Sequence, residues 1–167
     1  MKKVTLIVSA FVLIMMVSCG PTKNDAVNYN DKLMAVLNNL NPTQTIFLDQ
    51  IDGHNGDSLI IAQKLFSQKS KSSVDEVSKI AAFADKKDYL NAANDYFKTI
   101  NHLADFEAYE MTEIMTKDSS LITDNDIIRI QTLAVRFDST YDKAYQLITE
   151  AQAKFANEWK FEIEKVN

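Results

Sequence analysis

Nine apolar residues toward the C-terminus recur at a fixed rhythm. Ile127, Ile130, Ala134, Phe137, Tyr141, Ala144, Ile148, Ala151 and Phe155 follow one another in alternating steps of three and four. An α-helix turns once in about 3.6 residues, so this spacing draws one stripe along one side of a single long helix. A strand would scatter the same residues over both of its faces. Thr123 precedes the stripe, with Asp126 three residues on. A hydroxyl there accepts an orphan amide, and the acid sits at the positive end of the helix dipole. A stripe this long needs apolar partners along its whole length, and other long helices supply them.

Punctuation elsewhere is sparse. The only glycines are Gly20, Gly53 and Gly56, and the only prolines are Pro21 and Pro42. Folds built from many strands need more turns than this allows. A first helical stretch is expected over 24–52, with Ala26, Tyr29, Leu33, Leu37, Leu40, Leu48 and Ile51 near one face. Asn41-Pro42 predicts a kink or short break, because proline removes an amide and clashes with the preceding turn. A second stretch is expected over 57–85, on Leu59, Ala62, Phe66, Val77, Ile80 and Ala84. Its centre, 68–73, is polar and serine-rich, and Ser73 with Glu76 reads as a capping box. The apolar phase carries across that centre, which favours one helix over two. A third stretch is expected over 88–117, with Asp88 as N-cap and Ala93, Tyr96, Phe97, Ile100, Leu103, Ala104, Met111 and Ile114 as its face.

Four helices of similar length with short links pack best as an up-down-up-down bundle. The expected fold is therefore all-α, four long antiparallel helices, each rod about 42 Å long for 28 residues. In the tail, Phe161 and Ile163 alternate as in a short extended segment that folds back over one end.

The N-terminus reads differently. Met1-Lys2-Lys3 is followed by an uncharged run from Val4 to Val17, then Ser18 and Cys19. A positive start, a short apolar run and a small residue before a cut describe a secretory signal peptide, and the run is shorter than the ~20 residues of a spanning helix. Met16-Val17-Ser18-Cys19 resembles the lipobox of bacterial lipoproteins, with Met16 where leucine is usual. That resemblance implies cleavage before Cys19, a diacylglyceryl group on its thiol and an acylated amino group. Two or more acyl chains give a stable anchor where one gives marginal binding. The expected organisation is a leader over 1–18, lipidated Cys19 with a linker to 23, and a bundle over 24–167. Gly20 to Lys23 reaches at most about 14 Å, so the bundle rides close to the bilayer. Gly20, rather than aspartate, after the cysteine implies the outer membrane.

Loss of Lys2 and Lys3 takes the net charge from −5 to −7. That balance opposes binding to nucleic acid and a polybasic grip on anionic lipid, which leaves the acyl chains to hold the membrane. Cys19 is the sole cysteine, so no intramolecular disulfide is available.

Motifs for chemistry are weak. Glu107, Glu110 and Glu113 fall near one helix face. They could suggest a metal, but without a matching histidine or acidic set they read as a solvated face. His102 with Asp105 one turn on lacks a second ligand set, and His102 lies off the apolar seam, as a surface histidine does. A haem held by His102 and Met34 would need both to leave positions off their seams. The stretches 52–57 and 118–126 have too few aligned oxygens and glycines for calcium loops and read as inter-helix turns. No phosphate loop or nucleophile motif is present. Tyr29, Tyr96, Phe97, Phe137, Tyr141 and Phe155 could line a ligand cavity, but their spacing is that of core. No catalytic residue, cofactor or metal is expected.

Asn28-Tyr29-Asn30, Gln152, Phe155-Ala156 and Phe161 resemble small helical lipoproteins of bacterial cell envelopes, whose function is undefined. The resemblance implies an envelope location and supplies no catalytic residues. The expectation is a membrane-anchored interaction or accessory module with an envelope protein partner. Its alternative is a carrier with a small apolar ligand in the bundle core. An enzyme would need a cleft in which Glu107 or Glu110 meets other polar groups.

Overall fold

The computed structural model describes residues 20–53 and 56–163. Its elements are α1 (Lys23–Gly53), α2 (Gly56–Ser78), α3 (Asp88–His102), a turn of π-helix (Leu103–Glu107), α4 (Ala108–Met115), a 3-10 turn (Ser119–Leu121) and α5 (Asp124–Trp159). Among the described residues there is no strand beyond one isolated bridge, Phe83 to Lys86. Residues 1–18, expected as a leader, and Cys19 lie outside the described residues, as do His54 and Asn55 between α1 and α2.

Helix α1 starts from Thr22. Its hydroxyl accepts from the Asp25 amide at 3.3 Å, and Asp25 accepts from the Thr22 amide at 2.8 Å. The expected break at Asn41-Pro42 is absent, and Pro42 sits inside one continuous helix. Pro42 itself is exposed, while Leu40 before it and Gln44 and Phe47 after it are buried on one stripe. Packing on both sides of the proline outweighs the lost amide.

Helix α2 runs unbroken through 68–73, as the phase of its apolar residues predicts. The capping box at Ser73 does not form, because Ser73 lies in the helix interior and is fully buried. The helix stops at Ser78, seven residues short of Asp85. Ala84 and Asp85 then take left-handed conformations, φ 51° and 60°, in the link to α3. Asp88 is the first helical residue, and Lys87 is the N-cap, with no side-chain cap bond.

The third rod is not regular. Leu103–Glu107 widens into a π-turn between α3 and α4. One extra residue in the turn leaves carbonyls short of partners, and α2 answers them. Gln63 Nε2 donates to the Ala104 carbonyl at 3.0 Å, and Ser67 donates to Asp105. Asn101 Nδ2 donates to Asp105 at 3.0 Å, and Ser70 donates to Asn101 Oδ1 at 3.2 Å. The serine-rich centre of α2 is thus a close-packed, hydrogen-bonding face.

Each rod packs against its chain neighbours, and α5 returns to α1 to close the bundle. One end gathers the start of α1, the link 79–87 and the end of α5; we call it the near end. The far end gathers the end of α1, the start of α2, the end of α4 and the 3-10 turn. The core is a column of aromatic and aliphatic side chains, with Phe47, Phe66 and Phe137 at centroid distances of 5.7–6.5 Å. Helix α5 begins on the expected Thr123–Asp126 capping box. Its seam departs from expectation at the first place: Ile127 is 48 % exposed, and Leu133 is buried instead. Lys160 caps the helix in a left-handed conformation, and the Phe161 amide returns to the Ala156 carbonyl at 3.1 Å. This closure folds the tail back, as expected, and Phe161 packs on Phe155 at 5.9 Å.

Candidate functional surfaces

The acidic run divides. Glu107, expected on a solvated face, is only 3 % exposed. Seven residues after Ile100 and seven before Ile114, it stands on the inward seam of the third rod, where Oε1 accepts from Arg136 of α5 at 2.8 Å and Oε2 is buried without a partner. Glu110 takes a two-pronged bond from Arg129, both prongs at 2.6 Å. That hydrogen bond lowers the Glu110 pKa and raises that of Arg129. Glu113 alone stays exposed as expected. The two engaged carboxylates face arginines, an arrangement that neutralises them. Among the described residues no group of three His, Cys, Asp or Glu side chains is placed to share a metal ion.

Aromatics on the other side of this rod face outward. Phe106 is 59 % exposed and Tyr109 half-exposed, and His102 stacks on Phe106 at 4.5 Å. With Asp105, Glu110, Glu113 and Arg136 they border an open cleft of about 390 Å³. Met34 borders a different cleft, beside Tyr145 and Gln152, so the structure does not bring His102 and Met34 together.

The aromatic set is core. Tyr96 lies edge-on to Phe97 at 5.2 Å, and Tyr29 packs on Phe155 at 5.6 Å. Burial holds the Tyr29, Tyr89, Tyr96 and Tyr141 phenols above the usual tyrosine range. An open hollow of about 770 Å³ at the near end is lined by Tyr29, Tyr89 and Phe155, under a rim that includes Lys87 and Lys154. Two ion pairs cross that rim, Lys86 with Glu158 and Lys154 with Asp88 at 3.0 Å.

Sequence reasoning missed the polar centre beside these rings. Asn30 Oδ1 accepts from the Tyr89 hydroxyl at 3.1 Å and from Gln152 Nε2 at 2.8 Å. The signal was there: Asn30 and Gln152 adjoin Tyr29 and Ala151 on apolar stripes, and Ser70 and Ser73 lie in phase between Phe66 and Val77. A polar residue in core phase asks for a buried partner.

Apolar exposure is polarised along the bundle. Among the described residues, the exposed large apolar side chains of the near half are Tyr145, Leu147 and Ile163. The far half exposes Ile46 and Leu48 on α1, Ile61 and Leu65 on α2, Phe106 and Tyr109 on the third rod, and Ile128 and Val135 on α5. Leu121, Ile122 and Ile127 join them at the very end. Charge follows the same axis. Residues 39–67 and 102–141, the far half, hold eleven carboxylates against four cations, a net −7. The described remainder balances to zero. Comparison with protein-family models, with curated proteins and with solved structures gives no match to this chain.

Proposed function

We propose that this chain is a lipoprotein of the bacterial cell envelope, anchored at the outer membrane by lipid on Cys19, whose bundle docks a protein partner without catalysing a reaction. The observation that carries the docking role is the cleft that Phe106, Tyr109 and His102 border on the third rod. Two large aromatic side chains left in water side by side mark an interaction surface more than a solvated one. Phe106, Tyr109 and the exposed arginines are the residue types that dominate binding energy at interfaces. The acidic surroundings favour a partner surface of opposite charge. Against a carrier role stands the mutual contact of the core rings, which leaves the aromatic set engaged with itself. The resemblance of 16–19 to a lipobox supports the anchor.

Two experiments test the reading. Labelled fatty acid should enter the wild-type protein and not Cys19→Ala, which should accumulate as precursor; equal labelling removes the anchor. A photo-cross-linker at Val135 or Tyr109, in native membranes, should trap a reproducible protein that one at Lys87 does not. Val135→Glu should lose it, and raised salt should weaken it. Capture from Lys87 alone, or none from the far half, removes the docking role.

A further inference from the structure

We infer that the near end of the bundle seats on the bilayer surface and that the bundle stands upright there, holding its far half away from the lipid. The inference rests on the anchor at Cys19 proposed above. Three residues, Gly20 to Thr22, separate that cysteine from the start of α1 at Lys23, four chain steps that span at most about 14 Å. The near end is therefore held within one linker length of the headgroups. Its surface suits that place. Lys79, Lys87 and Lys160 are exposed around the link 79–87 and the tail, where long stems let ammonium groups reach headgroups, while Lys86 pairs with Glu158. The near half carries no net charge, so an anionic bilayer does not repel it.

A tilted or flat posture is disfavoured twice. The net −7 of the far half is pushed from anionic lipid by the same field that attracts basic segments. The exposed apolar residues of the far half are shared among all four rods, so no single side could bury them in lipid together. Helix α5, 36 residues long, then lifts the far end roughly 50 Å above the surface at about 1.5 Å per residue.

The single tryptophan, Trp159, reports on this directly, since it sits at the near end against Phe83 at 4.9 Å. Every core side chain among the described residues lies between Ala26 and Phe161, so the chain from Cys19 onward keeps the whole packed core. That chain, coupled through its only thiol to a maleimide lipid, is placed in phosphatidylcholine vesicles containing phosphatidylglycerol and a dansyl-headgroup lipid. Energy transfer from Trp159 should be several-fold stronger than from the tryptophan of a Trp159→Phe, Leu121→Trp variant. Equal transfer, or stronger transfer from position 121, overturns the upright posture. Hydrogen exchange of the unsubstituted protein is the second readout. Coupling to vesicles should protect 79–87 and leave 118–123 unchanged; protection at 118–123, or none at 79–87, overturns the seating. Chemical coupling separates this result from the anchor, which the fatty-acid labelling tests in cells.

Discussion

Arg136 on α5 donates to Glu107 at 2.8 Å and so holds, from a half-exposed position, a carboxylate that is sunk into the bundle. Exposed ion pairs contribute at most about 1 kcal/mol, whereas stranding a buried charge costs about 3–5 kcal/mol. This pair lies between those cases. Arg136→Ala should lower stability by roughly 2 kcal/mol in urea unfolding, by the same reasoning. Glu107→Gln should lose less, because it strands no charge, and the double variant should fall short of the sum. Additive losses would mean that the two side chains are not coupled.

Asn30 is the acceptor on which two helices converge, and its loss should exceed the loss of either donor. Asn30→Ala leaves the Tyr89 hydroxyl and the Gln152 amide buried and unpaired, at about 1–3 kcal/mol each. Tyr89→Phe and Gln152→Ala each remove a donor, and Tyr89→Phe keeps its ring, so about 1 kcal/mol is expected for that change. Chemical unfolding of the three variants gives the order. If Asn30→Ala is no worse than Tyr89→Phe, the network is not what joins α1, α3 and α5 at the near end.

Periodicity made the rods legible, and local chemistry made some of their ends so. Thr123 with Asp126 was readable because the cap depends on two side chains three residues apart. The end of α2 was not, because Ile80 and Ala84 keep helical phase although the helix has stopped at Ser78. The burial of Glu107 was hidden for another reason. Its charge suggests a solvated face, although it stands in phase with the buried Ile100, Met111 and Ile114. Polarisation of charge and apolar exposure needs the fold, since residues 39–67 and 102–141 share a half only once the bundle is closed. The lipidation expected at Cys19 rests on local sequence alone, and that cysteine lies outside the described residues.

The two buried serines of α2 should respond with opposite signs. Ser73 Oγ is buried without a partner, so Ser73→Ala removes an unsatisfied hydroxyl and gains about 0.5 kcal/mol of helix preference. Ser70 donates to Asn101 and to the Ser67 carbonyl, and Ser70→Ala should lose about 1 kcal/mol before that preference is counted. Thermal midpoints should therefore rise for Ser73→Ala and fall for Ser70→Ala. A fall at position 73 would show that its hydroxyl has a partner in solution.

Pro42 offers a gain. It is exposed inside a continuous helix, where proline is about 3 kcal/mol less favourable than alanine. Pro42→Ala restores an amide and removes a ring clash, so the unfolding midpoint should rise. No rise would mean that α1 has already relaxed around the ring.

Asp126 should shape the acid limb of stability. Its carboxylate accepts from Lys117 Nζ at 2.6 Å, from the Thr123 amide at 3.0 Å and from the Thr123 hydroxyl at 2.9 Å. Those bonds, the Lys117 one first, depress its pKa from 3.8 to about 2. A folded pKa below the unfolded one adds stability that is fully present above the unfolded value and is lost as pH falls through the folded value. The contribution of Asp126 should thus be complete above pH 4 and fade toward pH 2. Asp126→Asn should lower the unfolding midpoint at neutral pH and flatten the acid limb, so that the two proteins converge near pH 2. Asp25 and Asp118 are depressed in the same direction by Thr22 and Ser120, so part of the limb remains in the variant. Midpoints measured across that range decide the matter. Parallel curves would show that the cap of α5 holds no ionised carboxylate of lowered pKa.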